Sequence, residues 1–181
     1  LQYIDFGPDV IHTNDWQTAL VNLYINSYYR HLDKFYGIKT VFTIHNIQYQ
    51  GQYGLNVIDE VVGVPDAWKH LLEYNGDANY MKAAIEAADK VTTVSPTYAG
   101  QILDPWYACG LDGILQARQF KIQGILNGID YDEYNPKTDK LIVKNYYSGA
   151  FVKGKAACKN DLREYFNLEK DDSPIISIVS R

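Results

Sequence analysis

The chain has 181 residues, 46% of them hydrophobic, enough for one large domain or parts of two with a sizeable core. With 17 Lys and Arg against 22 Asp and Glu, its net charge of −5 gives no general basic surface for nucleic acid or anionic lipid. Two cysteines, Cys109 and Cys158, are too far apart for CxxC metal or redox spacing and suit free thiols in a cytosolic protein. No apolar run approaches the ~20 residues of a membrane span, and the N-terminus lacks the basic region and apolar core of a signal peptide. The opening LQYIDFGPDV has no initiator Met, and strands are expected close to both ends, so the chain reads as a piece of something longer. There is no internal repeat.

Pro8 and Asp9 precede a short strand at about 10–12. Asn14-Asp15-Trp16-Gln17 then has capping-box spacing for a helix running to about Arg30, with Ala19, Leu20, Leu23, Tyr24 and Ser27 on one face. Val41 to Ile44 is a compact β-branched and aromatic run, a buried parallel strand that leaves His45 at its carboxyl end. From Asn46 to Asn79 the chain is rich in Tyr, Gly and Asn and exceeds the ~2 to 6 residues of an ordinary βα connection. Pro65 suits a first helical position before Trp68, Leu71 and Leu72. Met81, Ala84, Ile85 and Ala88 recur at helical spacing before a strand from Val91 to Val94.

Ser95-Pro96 predicts an N-cap and a proline at the first helical position. A helix from Asp112 to about Gln119, a strand from Ile122 to Leu126 and the turn Asn127-Gly128 follow. This alternation predicts an α/β fold, a Rossmann-like parallel sheet with helices on both faces. Residues 131–173 turn polar and read as a linker with a charged helix from about Gly154 to Phe166. A last strand is expected from Ile175 to Val179.

In open α/β sheets ligands collect at the carboxyl ends of the strands, where helix N-termini and loops converge. That rule selects Asp15 and Trp16, His45 and Asn46, Ser95, Asn127 and Gly128, and Arg181. Each also has a plain structural reading. A strand-end histidine can be a satisfied structural group, Asp15 complements a helix dipole, Trp16 can wedge a helix on a sheet, Ser95 caps, and Asn127-Gly128 turns. The Tyr-rich loop after His45 suits sugar rings, whose apolar faces stack and whose hydroxyls need partners. A guanidinium at Arg181 suits a diphosphate, through planar, charge-assisted hydrogen bonds.

HTNDWQTAL, FTIHNIQYQG, NYMKAAIEAADKVTTVSPTYAGQI, GILNGID and a terminal IVSR occur in this order and span almost the whole chain. Together they resemble the starch and glycogen synthases. The family often shows His where this chain has Gln17. The resemblance implies a GT-B glycosyltransferase, whose active site lies between two Rossmann-like domains. Residues 1–130 would then be the later part of the N-terminal, acceptor-side domain, 131–173 the interdomain linker and helix, and 174–181 the first strand of a C-terminal nucleotide-sugar domain that is otherwise missing.

The implied reaction moves glucose from a nucleotide sugar, expected to be ADP-glucose, to the non-reducing end of an α-1,4-glucan with retention. His45 and Arg181 map to catalytic positions, and Asp15, Trp16, Asn46 and Asn127 to substrate-binding ones. No metal and no cofactor are implied beyond the nucleotide-sugar donor, and neither nucleic acid nor membrane is an expected partner. Retaining glycosidases use two carboxylates ~5 Å apart. No such pair is evident here, so front-face attack is expected instead. The location expected is the bacterial cytoplasm, or the plastid if the source is a plant, and the 181 residues alone are expected to be inactive. Two other readings remain open: another GT-B transferase, and a noncatalytic glucan-binding module.

Overall fold

Short β-branched runs alternating with amphipathic segments give parallel strands linked by returning helices, as the sequence predicts. The structure is a computed structural model; it describes residue 1 and residues 3–180, and the chain divides into units of residues 1–127 and 128–181. In the first unit, β1 (Val10–Asn14) leads into α1 (Asp15–Tyr24), which continues as a π-helical turn through Tyr29. The short α2 (Asp33–Tyr36) precedes β2 (Lys39–Ile44). Within the long connection, β3 (Gln52–Gly54) and α3 (Asp66–Lys69) come before β4 (Glu73–Tyr74) and β5 (Asp77–Asn79). The unit continues with α4 (Tyr80–Ala87), β6 (Lys90–Thr93), α5 (Pro96–Gln101), α6 (Asp112–Ala117) and β7 (Ile122–Gly124).

The main sheet has the order β1-β2-β6-β7, every neighbouring pair parallel. The α/β class and the Rossmann-like parallel sheet are thus as expected. Successive strand residues point to opposite faces. One face carries Thr13, Phe42, Ile44 and Val91, all buried, and packs with Ala19 and Leu23 of α1, Met81, Ala84 and Ile85 of α4, and Ile102 after α5. Buried Thr13 joins this face to α1, because Asn22 Nδ2 donates to its hydroxyl at 2.7 Å. The opposite face carries Val10 and Ile125, half exposed, and a row of polar side chains described below. Gly124 is required where β7 passes the β6–α5 turn, since a Cβ there would lie 2.1 Å from the Ser95 carbonyl oxygen.

Three local expectations are corrected. The capping box of Asn14 and Gln17 is not formed; Thr18 Oγ1 instead accepts from the Asn14 N–H and donates to the Asn14 carbonyl, both at 2.7 Å. Pro65 is the N-cap of α3, one residue before the predicted position, because its ψ of 150° is still extended. β3, β5 and β4 form a small antiparallel sheet whose two- and three-residue strands carry too few residues for a periodic signal. Finally, residues 175–179 form no strand among the described residues. Ile176, Ile178 and Val179 are about nine-tenths exposed or more, and a strand requires a neighbouring strand to take its backbone hydrogen bonds.

The second unit is irregular apart from α7 (Phe151–Tyr165). Its buried Arg163 holds the following loop, donating to the carbonyls of Glu169 and Ser173 and pairing with Asp171 at 2.9 Å.

Candidate active site at the carboxyl edge of the sheet

β1 and β2 run side by side, with Asn14 opposite Thr43, so the residues that follow them emerge together. The His45 N–H lies just past the end of β2. Asp15 Oδ1 accepts it at 2.9 Å, and the His45 imidazole Nε2 lies 3.0 Å from Asn14 Oδ1. Consecutive residues of the β1–α1 turn therefore hold His45 by its backbone and by its ring. Asp15 does so in a left-handed conformation, φ +53°, an unfavourable choice for a non-glycine residue that recurs at functional sites.

The loop after His45 is fixed from both sides. The Asn46 carboxamide oxygen accepts the Gln48 N–H at 2.9 Å, and the Ile47 N–H donates to the Tyr98 hydroxyl at 3.2 Å. Tyr98 belongs to α5, whose N-cap is Ser95 as predicted, its Oγ accepting the Tyr98 N–H at 2.9 Å. Gln50, 6% exposed, donates to the carbonyls of Ile47 and Cys109 at 3.1 and 2.9 Å. Its oxygen accepts from Asn79 Nδ2 at 2.7 Å, and Asn79 in turn caps α4. The next residue, Gly51, has φ +67°, and a Cβ there would meet the Trp16 ring at 2.7 Å. One side of Trp16 is thus packed on the loop backbone, with Tyr53 edge-on at 6.1 Å.

Two adjoining clefts result. One, of about 190 Å³, is lined by His12, Asn14, Thr43, His45, Thr92 and Asn127 among others. Its floor is a hydrogen-bonded row across three strands, with Thr43 Oγ1 2.6 Å from both His12 Nε2 and Thr92 Oγ1. The other, of about 400 Å³, is lined by Asp15, Trp16, Gln17, Asn46 and Tyr49. Tyr49 is 62% exposed there, so an aromatic ring stands beside carboxylate and carboxamide groups. Such a lining matches a sugar, with ring faces to stack and hydroxyls to bond.

The structure brings together Asp15, Trp16, His45, Asn46 and Asn127 of the sequence-selected residues; Arg181 lies outside the described residues. Sequence reasoning passed over His12, Asn14, Thr43, Tyr49 and Thr92. The first two were detectable, since period-two alternation back from the strand end puts His12 and Asn14 on one face. Among the described residues no group of three or more His, Cys, Asp or Glu is placed to hold a metal ion. No described helix is long and apolar enough to cross a membrane.

A family model described as the starch synthase catalytic domain matches residues 1–117. The chain belongs to that family. Its matched segment contains Asp15, Trp16, His45 and Asn46, whereas Asn127 lies past its end. The chain is 44% identical to the glycogen synthase of Lachnospira eligens over 184 residues, 100% of this chain and 38% of that protein. The glycogen synthase of Clostridioides difficile is 45% identical over 98% of this chain and 38% of its own length. Among solved structures, the catalytic domain of starch synthase IV from Arabidopsis thaliana, bound to ADP and acarbose, superposes with a TM-score of 0.73. It is 32% identical, with 92% of this chain and 34% of that one covered. The chain thus spans less than two-fifths of the length of these synthases.

Proposed function

We propose that the protein to which this chain belongs transfers glucose from ADP-glucose to the 4-hydroxyl at the non-reducing end of an α-1,4-glucan, with retention, and that this chain supplies the acceptor-side wall of the cleft. The observation that carries the reading is the bond from the His45 N–H to Asp15 Oδ1, which joins the two clefts at one point of the sheet edge. His45 and Asn127 would face the transferred glucose, with Asp15, Trp16 and Asn46 toward the acceptor. The glycogen synthase names of the relatives and the ADP and acarbose in the Arabidopsis structure support a nucleotide-sugar and glucan pair.

Chemically, departure of a nucleoside diphosphate leaves an oxocarbenium-like sugar, and the protein's task is to stabilise both with preorganised groups away from water. Arg181 is assigned to the diphosphate. The donor is already activated, so no cofactor or metal enters the scheme, and attack from the leaving-group face accounts for retention without a carboxylate nucleophile. The cytoplasm, or a plastid in a plant, is the compartment that fits this chemistry.

Because the cleft needs a second lobe, the 181-residue chain incubated with ADP-glucose and glycogen should release no ADP, whereas the full-length protein should release ADP and lengthen the glucan. Turnover by the short chain above a heat-killed control, or a full-length protein that ignores ADP-glucose, contradicts the reading.

A further inference from the structure

We propose that Asn14 is a positioning residue that holds the His45 imidazole in one tautomer, with the proton on Nε2 and with Nδ1 left to accept a hydrogen bond from a sugar hydroxyl. An asparagine before a helix ordinarily spends its side chain on the cap. Here Thr18 bonds both backbone groups of Asn14, and the Asn14 side chain makes no cap bond. Its carboxamide is thereby released for the ring, with Oδ1 3.0 Å from His45 Nε2. An amide oxygen only accepts, so the nitrogen facing it carries the proton, and the other ring nitrogen presents a lone pair.

The ring is aimed as well as held in one tautomer. Asp15 fixes the His45 backbone at 2.9 Å while Asn14 fixes the far end of the imidazole. The second imidazole of the same cleft, His12, is engaged with Thr43 instead. A sugar hydroxyl, which must donate somewhere when water is excluded, then meets an acceptor. That choice of partner rests on the transfer reading above; the tautomer does not.

The test needs neither donor nor acceptor. Long-range ¹H–¹⁵N correlation spectra of the chain at about pH 8, where imidazole is neutral, report which ring nitrogen of His45 is protonated. The Nε2–H form is expected in the wild type. Asn14→Leu should shift the tautomer ratio about fivefold toward Nδ1–H, the equivalent of one hydrogen bond of about 1 kcal/mol. Asn14→Asp, whose carboxylate likewise only accepts, should keep the Nε2–H form. Backbone amide spectra confirm that the Thr18 bonds, which use only the Asn14 main chain, survive. An Nδ1–H tautomer in the wild type, or a ratio that does not move in Asn14→Leu, overturns the proposal. If the leucine variant does not fold, the tautomers of the wild type and of Asn14→Asp decide it, an Nδ1–H form in either counting against.

Discussion

Replacing Gln50 with leucine should loosen the whole loop that presents His45, Asn46 and Tyr49. A glutamine amide has two donor hydrogens and an oxygen that accepts two bonds, and Gln50 uses all four. It donates to Ile47 O and Cys109 O at 3.1 and 2.9 Å, and accepts from Asn79 Nδ2 and Gln52 Nε2 at 2.7 and 3.3 Å. At about 1 kcal/mol net for each good bond, and with buried partners left unpaired, Gln50→Leu should cost about 3 kcal/mol after allowing for the added apolar contact. For a urea dependence of about 2 kcal/mol per molar, the unfolding midpoint should fall by about 1.5 M. The amides of Tyr80 and Met81, which donate to Gly51 O and Gln50 O, should lose exchange protection with it. A midpoint within about 0.25 M of wild type, equivalent to ~0.5 kcal/mol, with those amides still protected, would refute the idea that this side chain organises the loop.

Other substitutions separate packing from recognition. Gly124→Ala puts a methyl group 2.1 Å from the Ser95 carbonyl oxygen, and should cost at least ~3 kcal/mol in thermal or urea unfolding because backbone must move. Tyr49→Ala, at an exposed ring, should leave stability within ~0.5 kcal/mol but raise the glucan KM of the full-length protein about five- to tenfold through lost stacking. Lys121 Nζ donates to the carbonyls of Glu86 and Ala88 at the end of α4, and burial holds its pKa below the usual lysine range. The unfolded chain takes up that proton more readily, so stability rises as pH increases from the folded value toward ~10.4. Lys121→Met removes this slope, and the wild type's advantage in urea midpoint should widen between pH 7 and pH 10; an advantage that narrows contradicts the sign.

What the sequence made legible was what depends on local pattern. The stripe of Met81, Ala84 and Ile85 marked α4, and Ser95-Pro96 marked a cap that forms through the predicted oxygen. The run from Val41 to Ile44 marked the strand whose end carries His45. What stayed hidden depends on partners distant along the chain. Thr18 took the capping role by reaching back to Asn14, so the Asn14 side chain became available to a histidine 31 residues away. Gln50 looks like any polar loop residue until Asn79 and Cys109 close around it. The residues from Ile175 to Val179 have a strand's composition, yet a strand also needs a neighbour, which composition does not supply.

The most direct test substitutes His45, which lines one cleft and is bonded through its N–H to Asp15 of the other, in the full-length protein. Incorporation of labelled glucose from ADP-glucose into glycogen by His45→Ala should fall by about 100-fold or more in kcat, the scale of losing one preorganised polar group at a reacting centre, while the urea midpoint changes little. Incorporation at a near wild-type rate would contradict the assignment of this sheet edge as the place of transfer.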